Sequence, residues 1–481
     1  MINKQNLFIF LSFFITSQTL LAENVKYYPH TFMWGAAFSA HQADGAFGGG
    51  ENGDWYEFEH SLINGVSPIQ HGNTADRATD HWHRYSEDYE WAQKLGLNSL
   101  RTSLAWEKIE PSFGVFSEDV IQHYRGQFQN MIARGIKPMI ALHHFTHPKW
   151  FHEKGGWLNP ESPKWFLEYA SFVVKHLGDL CDLWITFNEP MILVVMGYLK
   201  AEIPPLMKSI DASYEASFNM ARAHRMVAYH IHQVQGDSPN GRGSDGTLRG
   251  VSFVNSLQIY DPLNPNNPND VRAAKWVTKI NNWDFLRGVE TGILKFDLLP
   301  ELMLGKSFER AMPQEDLPPW AQKGPFMDWI GVNYYNRWFI KYNFFNLLKV
   351  EWLVPDGIKG DNGYALYPEG LEQVLRQTHT EFPKYPLIVS ENGLADGEDS
   401  RRPDFIKNHL LFLDKALFGN AQNLPLDILG YYHWSLMDNF EWLHGYLYRF
   451  GLLEIQYDND LKRVPRPSYF VYLKEIQKRK E

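Results

Sequence analysis

Short apolar runs alternate along the chain with longer segments in which apolar residues recur at helical spacing, from residue 32 to the C-terminus. Runs of strand length fall at 32–39, 99–106, 138–145, 183–190, 251–259, 327–334, 386–393 and 426–434. Helical patterns follow them at 78–95, 118–133, 161–177, 212–235, 270–293, 369–378, 402–418 and 468–477. Runs apolar on both faces suit a parallel sheet covered by helices, and regular alternation of strand with helix is the mark of crossover units. Eight such pairs predict an α/β fold, a single (β/α)₈ TIM barrel with extended βα loops. No repeat or low-complexity linker divides residues 23–481.

Two of the runs end in a carboxylate. The segment 183–190 reads LWITFNEP, and Pro190 stops the strand because it has no amide hydrogen for the ladder. Asn188 and Glu189 are thereby left at the C-terminal lip, where a parallel barrel keeps its reacting groups. The segment 386–393, PLIVSENG, ends in Glu391, with Asn392 and Gly393 supplying the turn. Glycoside cleavage needs this equipment, one carboxyl to protonate the leaving oxygen and one to attack the sugar. Either glutamate alone would read as an exposed loop carboxylate.

Composition narrows the partner. The chain of 481 residues is 15% aromatic with 17 Trp, most of them core side chains but enough to supply flat faces for stacking on sugars. The net charge is −10, with no basic stripe, which argues against a nucleic-acid partner and for a neutral substrate. At the N-terminus, Lys4, the apolar run 7–15, a polar break and then Leu20, Leu21 and Ala22 before Glu23 predict a secretory signal of residues 1–22, its apolar run too short to span a bilayer comfortably. No other segment is apolar enough to cross a membrane, so no stable span is expected after cleavage. Cys181 is the single cysteine and no Asn-x-Ser/Thr acceptor occurs, which together favour bacterial export to the periplasm or medium.

TFNEP at 186–190 and SENG at 390–393 carry a resemblance. In that order and at that spacing they resemble the acid/base and nucleophile motifs of glycoside hydrolase family 1, the β-glucosidase and β-galactosidase family, and the likeness covers essentially the whole mature chain. The resemblance implies a retaining, double-displacement mechanism with Glu391 as nucleophile and Glu189 as acid and then base. It further implies that Arg101, in RTSLAW, sits beside the nucleophile. Asn333 and Tyr335, in GVNYY, would support the acid and hydrogen-bond the nucleophile. Asn188 would hold the sugar 2-hydroxyl. Glycone recognition is carried over to Gln42, His144, Glu441 and Trp442, with Trp434 as a stacking floor and Phe450 as an apolar wall. Family members acting on 6-phosphosugars lack an acid at the position of Glu441, where a carboxylate would repel the phosphate, so a non-phosphorylated glycone is expected.

The chain departs from the family pattern in several places. Asp44 replaces a common Glu, and Phe145 replaces a common Trp beside the histidine, which predicts slightly shifted glycone contacts. The stretch MILVVMGYLKAEIPP at 191–205 lacks the family's His-Ala-Pro-Gly segment. The apolar segment 344–354 could line an aglycone entrance or be a loop packed on its own side chains. No cofactor or metal is expected: His81, His83, His143, His144 and His147 lack a recognisable ligand spacing. The five glycines within 45–53 are not followed by the Lys-Ser/Thr of a phosphate loop. A transglycosidase would use the same residues, and an inactive sugar-binding protein would be expected to lose a catalytic carboxylate. The reading that follows is an exo-acting β-glucosidase-like O-glycosyl hydrolase.

Overall fold

The computed structural model describes residues 27–236, 242, 248–297, 308–346 and 348–480. The predicted signal, 1–22, and most of the polar loop 236–246 lie outside them. Eight parallel strands form a closed barrel: β1 (Met33–Ala37), β2 (Ser99–Ser103), β3 (Lys137–His143), β4 (Leu183–Asn188), β5 (Gly250–Ser256), β6 (Ile330–Asn333), β7 (Leu387–Asn392) and β8 (Ile428–Trp434). Each strand pairs with its neighbours in sequence, and β1 closes the ring on β8. The crossover helices are α1 (His81–Lys94), α2 (Glu118–Ala133), α3 (Ser162–Leu177), α4 (Ile210–Gln235), α5 (Pro268–Thr278), α6 (Glu369–Glu381), α7 (Arg402–Phe418) and α8 (Pro467–Lys480).

Local chemistry sets where the helices begin. Ser117 and Ser209 accept hydrogen bonds from the amides of Val120 and Ala212, capping α2 and α4. Asn267 caps α5 from just before Pro268, whose missing N–H would have been unsatisfied anyway. The predicted helix 78–95 starts later, at His81, because Ala78 and Asp80 take left-handed backbone angles. The predicted helix 270–293 is broken into α5, a π-helical turn at Lys279–Trp283 and a further helix Asp284–Thr291 ended by Gly292 at φ +74°.

The core has two layers. Met33, Ala141, Ile185, Val254, Ile388 and Trp434 belong to one buried cluster that draws on opposite sides of the barrel. Trp34, Ile140, Trp184, Phe253 and Val389 face the helices. Alternation along each strand serves both layers, which is why the strands read as continuous apolar runs. The predicted fifth strand, 251–259, ends at Ser256 in the barrel; Ile259–Pro262 instead joins a side sheet with Arg337–Tyr342 and Val350–Leu353. Within the segment 344–354, Val350–Leu353 is the returning strand of that hairpin. Phe344 lies edge-on to Phe345 with Lys349 Nζ over the Phe344 ring, and both phenylalanines are exposed at the turn. Among the described residues, no helix is long and apolar enough to cross a membrane.

Candidate active site

Both strands that carry the two glutamates break register just before the lip. Between Ile185 and Asn188 the pairing of β4 with β5 shifts, and beyond Val389 the pairing of β7 shifts against both neighbours. Such an irregularity bends the strand and re-aims its side chains. Consecutive residues on β7 can then both serve the pocket. Ser390 donates from Oγ to Asn333 Oδ1 at 2.7 Å, and Glu391 next to it is held by Arg101 and Tyr335. Glu189 sits at φ +42°, at the start of the helical turn Pro190–Leu193. Gly393 closes the SENG motif because a Cβ there would collide with the Trp434 carbonyl.

A continuous hydrogen-bonded chain joins the two carboxylates. Arg101, 1% exposed at the interior of β2, donates from Nη1 to Glu391 Oε1 and from Nη2 to Asn188 Oδ1 at 2.5 Å. The same Asn188 oxygen accepts from Asn333 Nδ2 at 3.2 Å, and that amide also donates to Glu189 Oε1 at 3.0 Å. Tyr335 donates its hydroxyl hydrogen to Glu391 Oε2 at 2.5 Å. Burial, reinforced by the neighbouring Glu391, Glu189 and Glu441 charges, raises the Tyr335 phenol well above its ordinary value, so it remains a donor.

The two glutamates face different electrostatics. Glu391 has a guanidinium and a phenol on its two oxygens. Glu189 is pushed up to about 8, first by burial and then by the Glu391 charge, with the bonds from Asn333 and Ser256 and the Arg101 charge opposing. It therefore carries a proton at neutral pH beside a partner held by a cation. That is the division of labour that acid-assisted displacement at a sugar carbon requires.

The remaining expected residues connect to the same site through hydrogen bonds and ring contacts. Asn188 Nδ2 donates to His144 Nε2 at 3.0 Å, which leaves the proton on Nδ1, a buried atom with no partner among the described residues. Burial, then the Arg101 and His41 charges, keeps this imidazole well below the usual histidine range. Gln42, on the short helix Ala40–Asp44, is fixed by Ser39 Oγ on its oxygen and donates to the Phe440 carbonyl, Asn439 Oδ1 and Glu441 Oε2 at 2.9, 3.2 and 3.4 Å. Glu441 is pushed up to about 8 by burial and by the charges of Glu391 and Glu189. Trp434 and Trp442 both lie face to face with His144 at ring separations of 6.0 Å, while Phe450 meets Tyr335 edge-on at 6.4 Å.

Other expectations are placed differently. Asp44 is not in the pocket: it is buried against Lys108 Nζ at 3.4 Å and Tyr124 Oη at 3.2 Å, so its shorter side chain serves the wall behind. Phe145, at φ +73°, packs on His144 and Trp442, where it can shift that ring pair. The other histidines are engaged in hydrogen bonds, His81 with Asp88, His83 with Asp80, and His143 with His147 and through it Asp54. Sequence reasoning missed Ser256 and Ser390, which bond to Glu189 and Asn333, and Gln258, whose Oε1 accepts the backbone amides of Tyr335 and Asn336. Their only signal is polarity at the end of an otherwise apolar strand.

Comparison with known proteins bears on the same site. A family model described as glycosyl hydrolase family 1 matches residues 24–481. Beta-glucosidase A of Thermotoga maritima is 31% identical over 464 residues, covering 93% of this chain and 97% of that protein. A beta-glycosidase from Pyrococcus horikoshii superposes with a TM-score of 0.78 at 31% identity, covering 94% of this chain and 95% of that one. The family 1 β-glucosidase structure from Thermotoga maritima gives a TM-score of 0.81 at 28% identity over 95% of this chain and 99% of that one, and a beta-glucosidase from that organism has also been solved with deoxynojirimycin. The chain therefore belongs to glycosyl hydrolase family 1 and is an O-glycosyl hydrolase.

Proposed function

We infer that the protein is an exported, exo-acting β-glucosidase that cleaves non-phosphorylated β-glucosides with retention. The observation that carries this reading is the unequal pair: Glu189 holds its proton up to about 8, while Glu391 lies between Arg101 and Tyr335. In the first step, a Glu391 oxygen attacks the anomeric carbon while Glu189 gives its proton to the glycosidic oxygen. The carbon–oxygen bond breaks, the aglycone leaves as an alcohol, and a glycosyl ester remains on Glu391. Esterification removes the Glu391 charge, so Glu189 falls in pKa and becomes a base. It then takes a proton from water, whose oxygen attacks the same carbon from the opposite face. The ester breaks, Glu391 recovers its electron pair, and the β-configured sugar is released.

Asn188 is assigned to the 2-hydroxyl, and Gln42, His144, Glu441 and Trp442 to the other hydroxyls, with Trp434 beneath the ring and Phe450 beside it. Preference for glucose is supported by the T. maritima relatives, and export by the apolar segment before Glu23. A panel of aryl β-glycosides assayed on the mature chain tests the substrate: the glucoside should give the highest kcat/KM. A higher value for a 6-phosphoglucoside or for another epimer would overturn the assignment. Export is tested by N-terminal sequencing of chain recovered from outside the cytoplasm, which should begin at Glu23.

A further inference from the structure

Behind the wall of the pocket lies a second group of titratable side chains that takes no part in the chemistry above. The short helix Asp54–Glu59 runs into His60, and the chain returns to bring Asp76 beside them. One ligating atom from each of Glu59, His60 and Asp76 lies within 4.8 Å of the other two.

Two independent features set this group apart from an ordinary polar cluster. First, His60 Nδ1 donates to the Tyr56 carbonyl at 2.7 Å. That bond is the usual outer support of a metal-ligating histidine, because it fixes the tautomer and leaves Nε2 as a lone pair. Nε2 faces the Asp76 carboxylate, 3.1 Å from Oδ1 and 3.3 Å from Oδ2. Acceptors so opposed need either a proton or a cation between them. Second, Glu59 is 3% exposed, yet neither of its oxygens has a hydrogen-bond partner among the described residues. Its Oε2 lies 3.5 Å from His41 Nε2. A buried carboxylate left without hydrogen bonds is unfavourable unless a strong positive charge meets it.

We propose that Glu59, His60 and Asp76 form a binding site for a divalent transition ion of the zinc class. The His60–Asp76 spacing already approaches the edge of a tetrahedron with bonds near 2.1 Å, about 3.4 Å. The Glu59 oxygen, within 4.8 Å of the other two ligating atoms, joins by a shift of at most about 1.4 Å away from His41. The side chains of His60 and Asp76 are 34% and 51% exposed, which gives the ion an entry path and leaves a coordination position for water. The imidazole disfavours calcium and magnesium, which take oxygen ligands. An ion here would tie the end of the helix to the loop sixteen residues on. It would also lie one residue contact from the sugar-binding wall, because His41 stacks on Trp442 at 5.6 Å and 9°.

The alternative is a protonated His60 simply paired with Asp76, and metal uptake separates the two. The full mature chain, stripped with a chelator and dialysed against Zn²⁺, should retain one ion per chain by mass spectrometry and show a raised Tm. His60→Ala and Asp76→Asn, both at exposed positions, should each weaken Zn²⁺ binding at least tenfold and abolish the Tm rise while hydrolysis of an aryl glucoside persists. Absence of Zn²⁺ uptake by the unaltered chain, uptake unchanged in both variants, or equal retention of Ca²⁺ would each overturn the proposal.

Discussion

Tyr335 donates to Oε2 of Glu391 at 2.5 Å, the oxygen opposite the one held by Arg101, so each oxygen of this carboxylate has its own fixed donor. A hydrogen bond to a charged group contributes about 1.5–3 kcal/mol, and the carboxylate must be held in line with the anomeric carbon to attack it. Tyr335→Phe should lower kcat for formation of the glycosyl ester about 10- to 100-fold. Stopped-flow measurement with a dinitrophenyl β-glucoside reads that step directly.

Removing the proton donor should spare activated leaving groups. Glu189→Ala is expected to retain ester formation on dinitrophenyl substrates and to lose it on alkyl glucosides. Added azide should restore turnover and yield a β-glycosyl azide identifiable by NMR. An α-azide would mean that the carboxylate roles are misassigned.

Because Glu189 must be protonated to act, kcat/KM should fall on the alkaline side near pH 8. The bond from Asn333 stabilises the charged form of Glu189, so its loss lets the acid keep its proton longer. In Asn333→Ala the alkaline limb should therefore move to higher pH even as the rate falls. A pH–rate series on both proteins checks the sign.

The same group costs stability. Unfolded, a glutamate releases its proton near its ordinary value of 4.5; folded, Glu189 keeps it to about 8. Between those limits the folded state binds the extra proton, so its contribution to stability falls as pH rises, by at most about 1.4 kcal/mol per pH unit. Glu189→Gln removes this dependence, and the drop in Tm from pH 5 to pH 8 should be smaller in the variant by calorimetry.

Ser390 orients the Asn333 amide by donating to its oxygen at 2.7 Å, which turns the amide nitrogen toward Glu189 and Asn188. Ser390→Ala should cost several-fold in kcat/KM, on the order of 1 kcal/mol, whereas Ser390→Thr keeps the hydroxyl and should be nearly silent. Steady-state kinetics on the pair decides it.

Much of this architecture was legible before any coordinates. The strand ends at Glu189 and Glu391 are legible because in each an apolar run breaks at a charged residue beside a turn former, and it is the two together that point to the chemistry. Element boundaries were less so, since Ile259 continues an apolar pattern into a different sheet and Lys279–Trp283 widens a helix without changing its periodicity. Ser256, Ser390 and Gln258 were invisible as site residues because polar side chains near strand ends are common, and only the fold says which groups they meet. The Glu59, His60 and Asp76 group was hidden for the same reason, the segment 61–75 separating its first two members from the third.

The offset in backbone pairing ahead of each glutamate has a consequence for change in this protein. The reacting pair is positioned by the ladder of the barrel wall, upstream of the loops that shape the mouth. Exchanging those loops should alter which glycosides enter while leaving the distance between acid and nucleophile intact. Deleting a single residue from either offset would instead turn the carboxylate off its aim and silence the enzyme with every substrate, however well it binds.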